Sequence, residues 1–393
     1  MTATVDETMG GPAPEDLDRR SAAARELANR LVLGLIAALL ALVFAAGITS
    51  IVLGATGHNP AEALRKMVDY GTTSNSIAAI INQATTYYLS AVAVAIGFRM
   101  NLFNIGVDGQ YQLAALLAAA FGGEVALPNG LHQIAIIVVA MLVGSFWAGL
   151  VGVLKATRGV SEVISSIMLN FVATGVIAYL LTPKRLGQLS GETLTTKPID
   201  GSGQISGISL IPGAHTKVFG LVFLAVAVGI GFQLLISRTR FGFDLRATGR
   251  SASAAQASGV NVKRMVVVAM LLSGAVAGMV NMPVLLGDAH NYSLSTPSGI
   301  GFTGIAIALL GRNNPLGIVF ASLLWAFLDT SSNILQLSNI PSAIVTITEG
   351  VVVLSAVIAF ELVRRYGLKR QQSRVGRELG LTTTPEAGAE AGA

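Results

Sequence analysis

The chain has 393 residues, of which 52% are hydrophobic and only 12% are charged, and its formal net charge is +5. Ordinary soluble domains carry about 25% charged residues. The composition therefore excludes a typical soluble protein and indicates a membrane protein. The chain also contains no cysteine, which excludes disulfides and thiolate metal sites.

Apolar stretches predict the membrane helices, because a helix needs about 20 mostly apolar residues to cross the hydrocarbon. They indicate an all-α, polytopic fold with ten helices, at residues 31–53, 77–97, 102–121, 132–154, 161–182, 216–236, 265–286, 299–311, 315–332 and 341–362. The stretch 299–311 is too short to span alone at about 1.5 Å per residue, so we expect a partial or broken helix there. The transmembrane domain is expected over 31–362, between tails at 1–30 and 363–393.

Basic residues set the expected orientation, because Lys and Arg in short loops stay on the cytoplasmic side. With ten spans and both termini inside, 20 of the 26 basic residues lie inside, and the other six are Arg65, Lys66, Lys184, Arg185, Lys197 and Lys217. The cytoplasmic loop 237–264 holds six Lys or Arg residues against Asp244. The outer loop 183–215 is rich in Gly, Ser and Thr, and nothing in it predicts a folded domain. We expect a multi-pass protein of the cytoplasmic membrane.

The third predicted span begins with an unusual density of polar residues, Asn101, Asn104, Asp108 and Gln110, separated by glycines. Every free backbone group in hydrocarbon needs a partner, so such a start is tolerated only where protein or water surrounds it. Broken helices of this kind line translocation paths in many transporters. The alternative is that Asn and Asp cap the helix, although one cap does not require the other polar residues.

A second polar element lies in residues 161–175, where Ser166, Asn170 and Thr174 recur four residues apart and share one helix face. That face is expected to turn inward. It could line a substrate path or supply hydrogen bonds between helices, which Ser, Thr and Asn commonly do in bundles. The residues alone leave both interpretations open.

A third element, residues 301–317, is a small-residue helix that ends in the turn Arg312, Asn313, Asn314, Pro315. Pro315 lacks an N–H and disfavours helix at the residue before it, so the chain should break and restart there. Broken segments at matching places in two halves of a chain are typical of an inverted repeat. Spans two to five and seven to ten are therefore predicted to be related.

Motifs for an enzyme are missing from the sequence. The chain has no G-x-x-x-x-G-K-[ST] phosphate loop, H-E-x-x-H pair or nucleophile elbow. We therefore expect no catalytic residue, no metal and no cofactor in this chain. A carrier driven by an ion gradient needs ionisable groups along its path, and the candidates are few: Asp108, Glu162, Asp329 and Glu349.

Four strings carry a specific resemblance: FNIGVDGQ, VSEVISSIMLN, RATGRSASAAQASGVN and GFTGIAIALLGRNNPLG. In this order they resemble the permease subunits of bacterial ABC importers for nucleosides and simple sugars, from about residue 60 to 360. The pattern is most similar to the nucleoside permeases that work with basic membrane lipoproteins. That resemblance implies a heterodimer of two related permeases, a cytoplasmic ATPase that binds ATP and an extracytoplasmic substrate-binding lipoprotein. Asp108 stands where the family usually has Glu.

The resemblance also implies a coupling element that docks on the ATPase. From the residues alone, RATGRSASAAQASGVN predicts a short helix with Ser251 as N-cap and Gly259 just past its end. The residues assigned to coupling are Arg246, Gly249, Arg250, Ala252, Ala255 and Gly259. The alternative is a basic loop attracted to anionic lipid headgroups.

The sequence thus supports three hypotheses: an ABC permease, an ion-driven carrier of a small polar solute, and a structural membrane protein. The coupling-like loop favours the first, which moves nucleosides or a related sugar-containing solute by alternating access. The predicted path residues are Asn104, Asp108, Gln110, Ser166, Asn170 and Phe302, with Phe103 and Phe171 as further stacking candidates. Partners are the subunits named above and membrane lipid, with no nucleic acid.

Overall fold

A computed structural model describes residues 57–337 continuously, together with isolated positions between 43 and 55 and between 347 and 365. The continuous part belongs to one compact unit. The predicted first and last spans, 31–53 and 341–362, and both predicted tails lie outside the continuously described residues. Ten spans and an inverted repeat therefore stay predictions.

The described residues are mostly helical. Their helices are α1 (Pro60–Gly71), α2 (Ser74–Phe98), α3 (Val107–Glu124), α4 (Leu131–Arg158), α5 (Glu162–Leu180), α6 (Val222–Arg238), α7 (Arg240–Arg250), α8 (Ala252–Ala257), α9 (Val262–Gly278), the single turn α10 (Met282–Val284), α11 (Ile300–Leu310) and α12 (Pro315–Leu337). A π-helical turn, Leu285–Ala289, follows α10. One antiparallel hairpin joins β1 (Gly187–Ser190) to β2 (Thr193–Thr196).

Within the described residues, five helical stretches are long and apolar enough to cross a membrane: α2, α4, α5, Val262–Ala289 and Pro315–Leu335. The pair α6 and α7 makes a sixth if it is counted as one span, with a bend of 73° between the two helices. The short apolar helix α11 is the broken element that its length predicted. The chain is a multi-pass helical membrane protein.

Two predicted helix starts were wrong. The third span begins at Val107 rather than 102, because residues 101–106 form a turn in which Asn101 has φ 55° and the Leu102 N–H donates to the Gly97 carbonyl. The sixth begins at Val222 rather than 216, because Val218 pairs instead with Ile208 in the outer segment.

The sequence reading missed α1 and the hairpin. Asn59 accepts hydrogen bonds from the N–H groups of Ala61 and Glu62 and Pro60 occupies the first turn of α1, which is a regular N-terminal signature. The sequence predicted no helix between residues 53 and 77. The hairpin in 183–215 is stabilised by a residue distant in the sequence, since the Thr196 N–H donates to the Tyr292 carbonyl at 2.9 Å.

The predicted inner and outer loops separate into two groups. At one end, Arg99 donates to the Asn313 carbonyl at 2.6 Å, and Asn101 donates to the Gly249 carbonyl at 2.7 Å. At the other end, Thr196 contacts Tyr292. The loops that charge placed on one side of the membrane are thus in contact with each other, as alternating spans require.

Small residues set the closest helix contact, between α4 and α9. A Cβ added at Gly144 would lie 2.2 Å from the Gly274 carbonyl oxygen, and one at Gly278 would lie 2.0 Å from the Ala140 carbonyl oxygen. Glycine lets two helix backbones approach this closely in a membrane, where packing rather than hydrophobic exclusion holds helices together. This pair forms one wall around α3, which buries 14 of its 18 residues.

Candidate functional site

The polar start of α3 folds into a closed cluster of side chains. Asn104 donates to Gln110 Oε1 at 3.0 Å, and Gln110 donates back to Asn104 Oδ1 at 2.9 Å. Asn104 also donates to Ser273 Oγ at 2.8 Å, and the Ser273 hydroxyl donates to the Ala93 carbonyl at 2.7 Å. Both amides are buried, with Asn104 1% and Gln110 0% exposed. The cluster joins α2, α3 and α9 and keeps its polar groups paired within the chain.

Asp108 caps α11 from another helix. Its Oδ1 accepts from the N–H groups of Gly299 at 2.8 Å and Gly301 at 3.2 Å, and its Oδ2 accepts from Gln112 at 2.8 Å. The N-cap residue of α11 is Gly299, whose φ is +89° and which has no side chain to cap the helix itself. The first N–H groups of a helix lack intrahelical partners and favour a negative charge. The Asp108 carboxylate of α3 therefore supplies the negatively charged hydrogen-bond acceptor that the N-terminus of α11 lacks.

Two glycines of α11 make this contact possible. A Cβ at Gly301 would lie 2.4 Å from the Asp108 backbone nitrogen, and one at Gly304 would lie 2.1 Å from Ser90 Oγ. The Ser90 hydroxyl donates to the Ile300 carbonyl at 2.9 Å. Tyr111, one turn along α3, donates to the Pro297 carbonyl at 2.6 Å. The short helix is thus fixed at its N-terminal end by α2 and α3.

The polar face of α5 approaches the same start of α3. Asn170 donates to the Ile105 carbonyl and accepts from the Gly109 N–H, both at 3.0 Å. Ser166 is 0% exposed and donates to the Val163 carbonyl in its own helix. Thr174, the third residue of the predicted stripe, is exposed and bonds back to the Asn170 carbonyl. Asn170 therefore provides the interhelical hydrogen bonds that the sequence reading left as one of two interpretations.

The aromatic candidates lie on the surface of the chain. Phe302 is 52% exposed, Phe103 is 47% exposed and Phe171 is 70% exposed. Phe103 stacks edge-on against Phe98, with ring centroids 5.0 Å apart. These rings are available to a solute, a lipid or a second subunit, in contrast to the closed amide cluster.

The described carboxylates that were candidates for ion coupling all have partners. Asp108 holds α11, Glu162 pairs with Lys155 at the turn between α4 and α5, and Asp329 accepts from the Tyr87 hydroxyl at 2.8 Å. Glu349 lies outside the described residues. Each of the three described carboxylates thus has at least one hydrogen-bond or ion-pair partner within the chain.

The predicted coupling loop contains two helices rather than one. Ser251 caps α8 by accepting from the Ala254 N–H at 3.3 Å, and Gly259 beyond its end has φ +86°, as predicted. The first helix, α7, was not predicted, and it contains the coupling candidates Arg246, Gly249 and Arg250. Its amphipathic pattern was read only as a run of charges.

The second half of α7 rests on the turn that leads into α3. A Cβ at Gly249 would lie 2.5 Å from the Arg99 carbonyl oxygen, and the Gly249 carbonyl accepts from Asn101. Arg246 donates to the Ile236 carbonyl at the end of α6. Thus α7 is in direct contact with residues 99–101, three residues before the amide cluster begins.

Some residues of the site were missed because their signal is weak in a sequence. Ser273 is a single hydroxyl in a long apolar helix, whereas Ser90 and Tyr111 stand among other polar residues and are not distinguished from them by the sequence. Only the fold shows that they meet the Asn104 and Asp108 clusters. Only Ser273 carried a detectable signal, as the one hydroxyl side chain in the apolar stretch 265–286.

The chain matches known permeases over most of its length. NupB, a nucleoside ABC transporter permease protein of Lactococcus lactis, is 28% identical over 82% of this chain and 90% of its own length. TsgB13, a glucose ABC transporter permease protein of Haloferax volcanii, is 28% identical over 88% of this chain and 92% of its own length. NupP, a guanosine ABC transporter permease protein of Bacillus subtilis, is 31% identical over 70% of this chain and 78% of its own length.

The family match also covers most of the chain. Residues 76–360 match the family described as "Branched-chain amino acid transport system / permease component". The matched region runs from α2 past the end of α12 and includes the amide cluster, the capped half-helix and the two helices of the basic loop. The chain belongs to this family of permease components.

Proposed function

We propose that the chain is the permease subunit of an ATP-driven importer that moves nucleosides across the cytoplasmic membrane by alternating access. A separate ATPase subunit supplies the energy. A second, related permease and an extracytoplasmic substrate-binding lipoprotein complete the assembly. The proposal keeps ten spans with both termini cytoplasmic, since the basic loop 237–264 then faces the ATPase.

The observation that carries the proposal is the contact from α8 through α7 to the start of α3. On α8 the exposed side chains are small or polar: Ala252, Ser253, Ala254, Gln256 and Ala257. Such a face permits close docking of another protein. Movement imposed there reaches the turn 99–101 through Gly249 and Asn101, which are 2.7 Å apart at their hydrogen bond.

The names of similar proteins support the substrate class. NupB and NupP are named for nucleosides and guanosine, while TsgB13 is named for glucose. A nucleoside combines a sugar with an aromatic base, so exposed rings such as Phe302 and Phe171 suit the base. Sugar transport is the second candidate.

Of the six predicted path residues, we place Asn170 and Phe302 at the path and the others behind it. Both retain accessible surface, whereas the Asn104 and Gln110 amides and the Ser166 hydroxyl are enclosed by their own chain. Asp108 is 9% exposed and acts by holding α11 in place. The path would then run along the outer side of the α3, α5 and α11 group.

The test is uptake by the assembled importer in vesicles, with guanosine, adenosine and glucose supplied to the binding protein. We expect uptake of nucleosides that requires ATP and persists after the ion gradients are collapsed. Uptake that follows a gradient and ignores ATP would support the ion-driven carrier instead. ATP-dependent uptake of glucose in preference to nucleosides would show that the substrate is a sugar and would leave the proposed mechanism unchanged.

Coupling is tested on the exposed face of α8. Ala252→Trp adds bulk to the docking face and should abolish ATP-dependent uptake while the permease stays folded. Ala255→Pro should do the same, since proline inside a helix costs about 3 kcal/mol or more. The matched control is Ala227→Trp, at an exposed position of α6. Full uptake by the Ala252→Trp importer would overturn the docking assignment.

A further inference from the structure

A basic cavity lies between α7, α8 and the start of α9. Its volume is about 960 Å³, and its walls contain the guanidinium groups of Arg240, Arg246, Arg250 and Arg264. The lining has one carboxylate, that of Asp244. Four positive groups against one negative group leave an excess of three positive charges around a concave surface. This is the size range and the electrostatics of a site for an anion.

The arginines around the cavity form no ion pairs within the part of the chain that the structure describes. Among the described residues, no carboxylate lies within ion-pair distance of Arg240, Arg250 or Arg264, and these three side chains are exposed. Arg246 donates only to a backbone carbonyl, that of Ile236. Burial, and then the charge of Arg246, lowers the pKa of the neighbouring Arg99. Four arginines against one carboxylate in the lining leave an excess of positive charge, which an anion would neutralise.

The cavity lies where two apolar helices end. Arg238 is the last residue of α6, and α9 begins at Val262, so the segment between them lies at the boundary of the membrane. There α7 turns away from α6 by 73° and exposes Phe243, which is 63% accessible. Phe243, Met265 and Val268 all line the cavity. An apolar wall beside four cations suits a ligand with both an anionic phosphate and acyl chains.

We propose that this cavity binds the headgroup of an anionic phospholipid, with the phosphate on the arginines and the acyl chains against Phe243. A soluble phosphate would gain nothing from the apolar wall. On α8, Ala252, Ser253, Gln256 and Ala257 do not line the cavity, whereas the exposed Ala254 does. The coupling candidates Arg246, Arg250, Ala255 and Gly259 also line it, so the test below includes competition between the lipid and the ATPase. The site adds a lipid requirement to the importer and does not depend on the identity of its solute.

The test uses the full-length permease in nanodiscs and in mild detergent. Bound lipid is measured by native mass spectrometry while phosphatidylglycerol is titrated against phosphatidylcholine. The double variant Arg240→Gln/Arg264→Gln removes two cavity charges. The matched control, Arg238→Gln/Lys263→Gln, removes two exposed charges that do not line the cavity, within two residues of the first pair. Thermal unfolding of each variant verifies its fold.

We expect the cavity variant to retain phosphatidylglycerol about tenfold less tightly than wild type, because each basic residue near a membrane strengthens anionic lipid binding several-fold. The affinity of the control variant for phosphatidylglycerol should fall far less. If the double variant does not fold, lipid binding is measured on the single variant Arg250→Gln instead.

Three results would each overturn the proposal. Equal losses in the cavity and control variants would show only a general attraction of charges. Displacement of the lipid by inorganic phosphate at equal concentration would show a soluble-anion site. Displacement by the purified ATPase would show that the cavity is part of the docking surface.

Discussion

The amides at the start of α3 and the arginines of α7 are both polar groups in an apolar protein, yet the fold treats them in opposite ways. Asn104 and Gln110 are at most 1% exposed and bond to each other. Arg240 and Arg250 are exposed and have no carboxylate partner among the described residues. Buried polar groups must be paired to avoid a desolvation cost, so polarity within a membrane helix marks structure as readily as function. The unpaired groups are the better guide to ligands.

Removal of the Asp108 carboxylate should have the largest effect on the buried region. Asp108→Ala leaves the N–H groups of Gly299 and Gly301 without acceptors, and each unsatisfied buried group costs about 1–3 kcal/mol. We expect the free energy of unfolding of the purified permease to fall by about 2–4 kcal/mol, measured by denaturation in detergent.

The control is Asp108→Asn, which keeps one side-chain oxygen as acceptor and should lose less than half as much stability. Asp108→Glu tests whether a carboxylate on a longer arm reaches the same two N–H groups. If Asp108→Ala unfolds like wild type but no longer supports uptake, the carboxylate acts on the path and not on α11.

The pair Asn104 and Gln110 should show a smaller and non-additive effect. Either single change to leucine removes one amide and leaves the other buried without its partner, at a cost of about 1–3 kcal/mol. The double variant leaves no unpaired amide of this pair, so its loss should be clearly less than the sum of the single losses. A double-mutant cycle on the free energy of unfolding measures the coupling. Additive losses would show that the two amides act independently, as contacts to a solute would.

The sequence predicted the spans well because their signal is local. α2, α4 and α5 each follow from a long uncharged stretch, and α8 from its two caps. The broken helix α11 followed from its length and from Pro315. These features depend on residues within one or two helical turns of each other.

The sequence did not predict which polar residues pair with which, because the partners are distant along the chain. Asp108 meets Gly299 and Gly301 from 191 and 193 residues away. Asn104 meets Ser273 from 169 residues away. No spacing rule encodes such contacts, so the density of polar residues at the start of the third span favoured a solute path, and the hydrogen bonds between helices were not predicted. Helix α7 was missed for another reason, since its arginines obscured the buried Leu245.

The ion pair Lys155–Glu162 is an intermediate case between the two regions, and its loss should have the smallest effect. The Glu162 side chain is 8% exposed and the Lys155 side chain 33%, so water reaches one partner and screens the pair. Exposed pairs contribute about 0.2–1 kcal/mol, and we expect Glu162→Gln to destabilise the permease by about 1 kcal/mol or less, because the amide oxygen can still accept from Lys155 and from the Phe103 N–H. Uptake driven by ATP should be nearly unchanged.

Lys155→Met is the harsher counterpart, because it leaves the Glu162 carboxylate largely buried without its cation. The comparison is decisive for the carrier hypothesis, in which Glu162 would exchange a proton. Under that hypothesis Glu162→Gln would abolish uptake driven by a proton gradient while the protein remained as stable as wild type, and that outcome would place Glu162 with the working groups of the path.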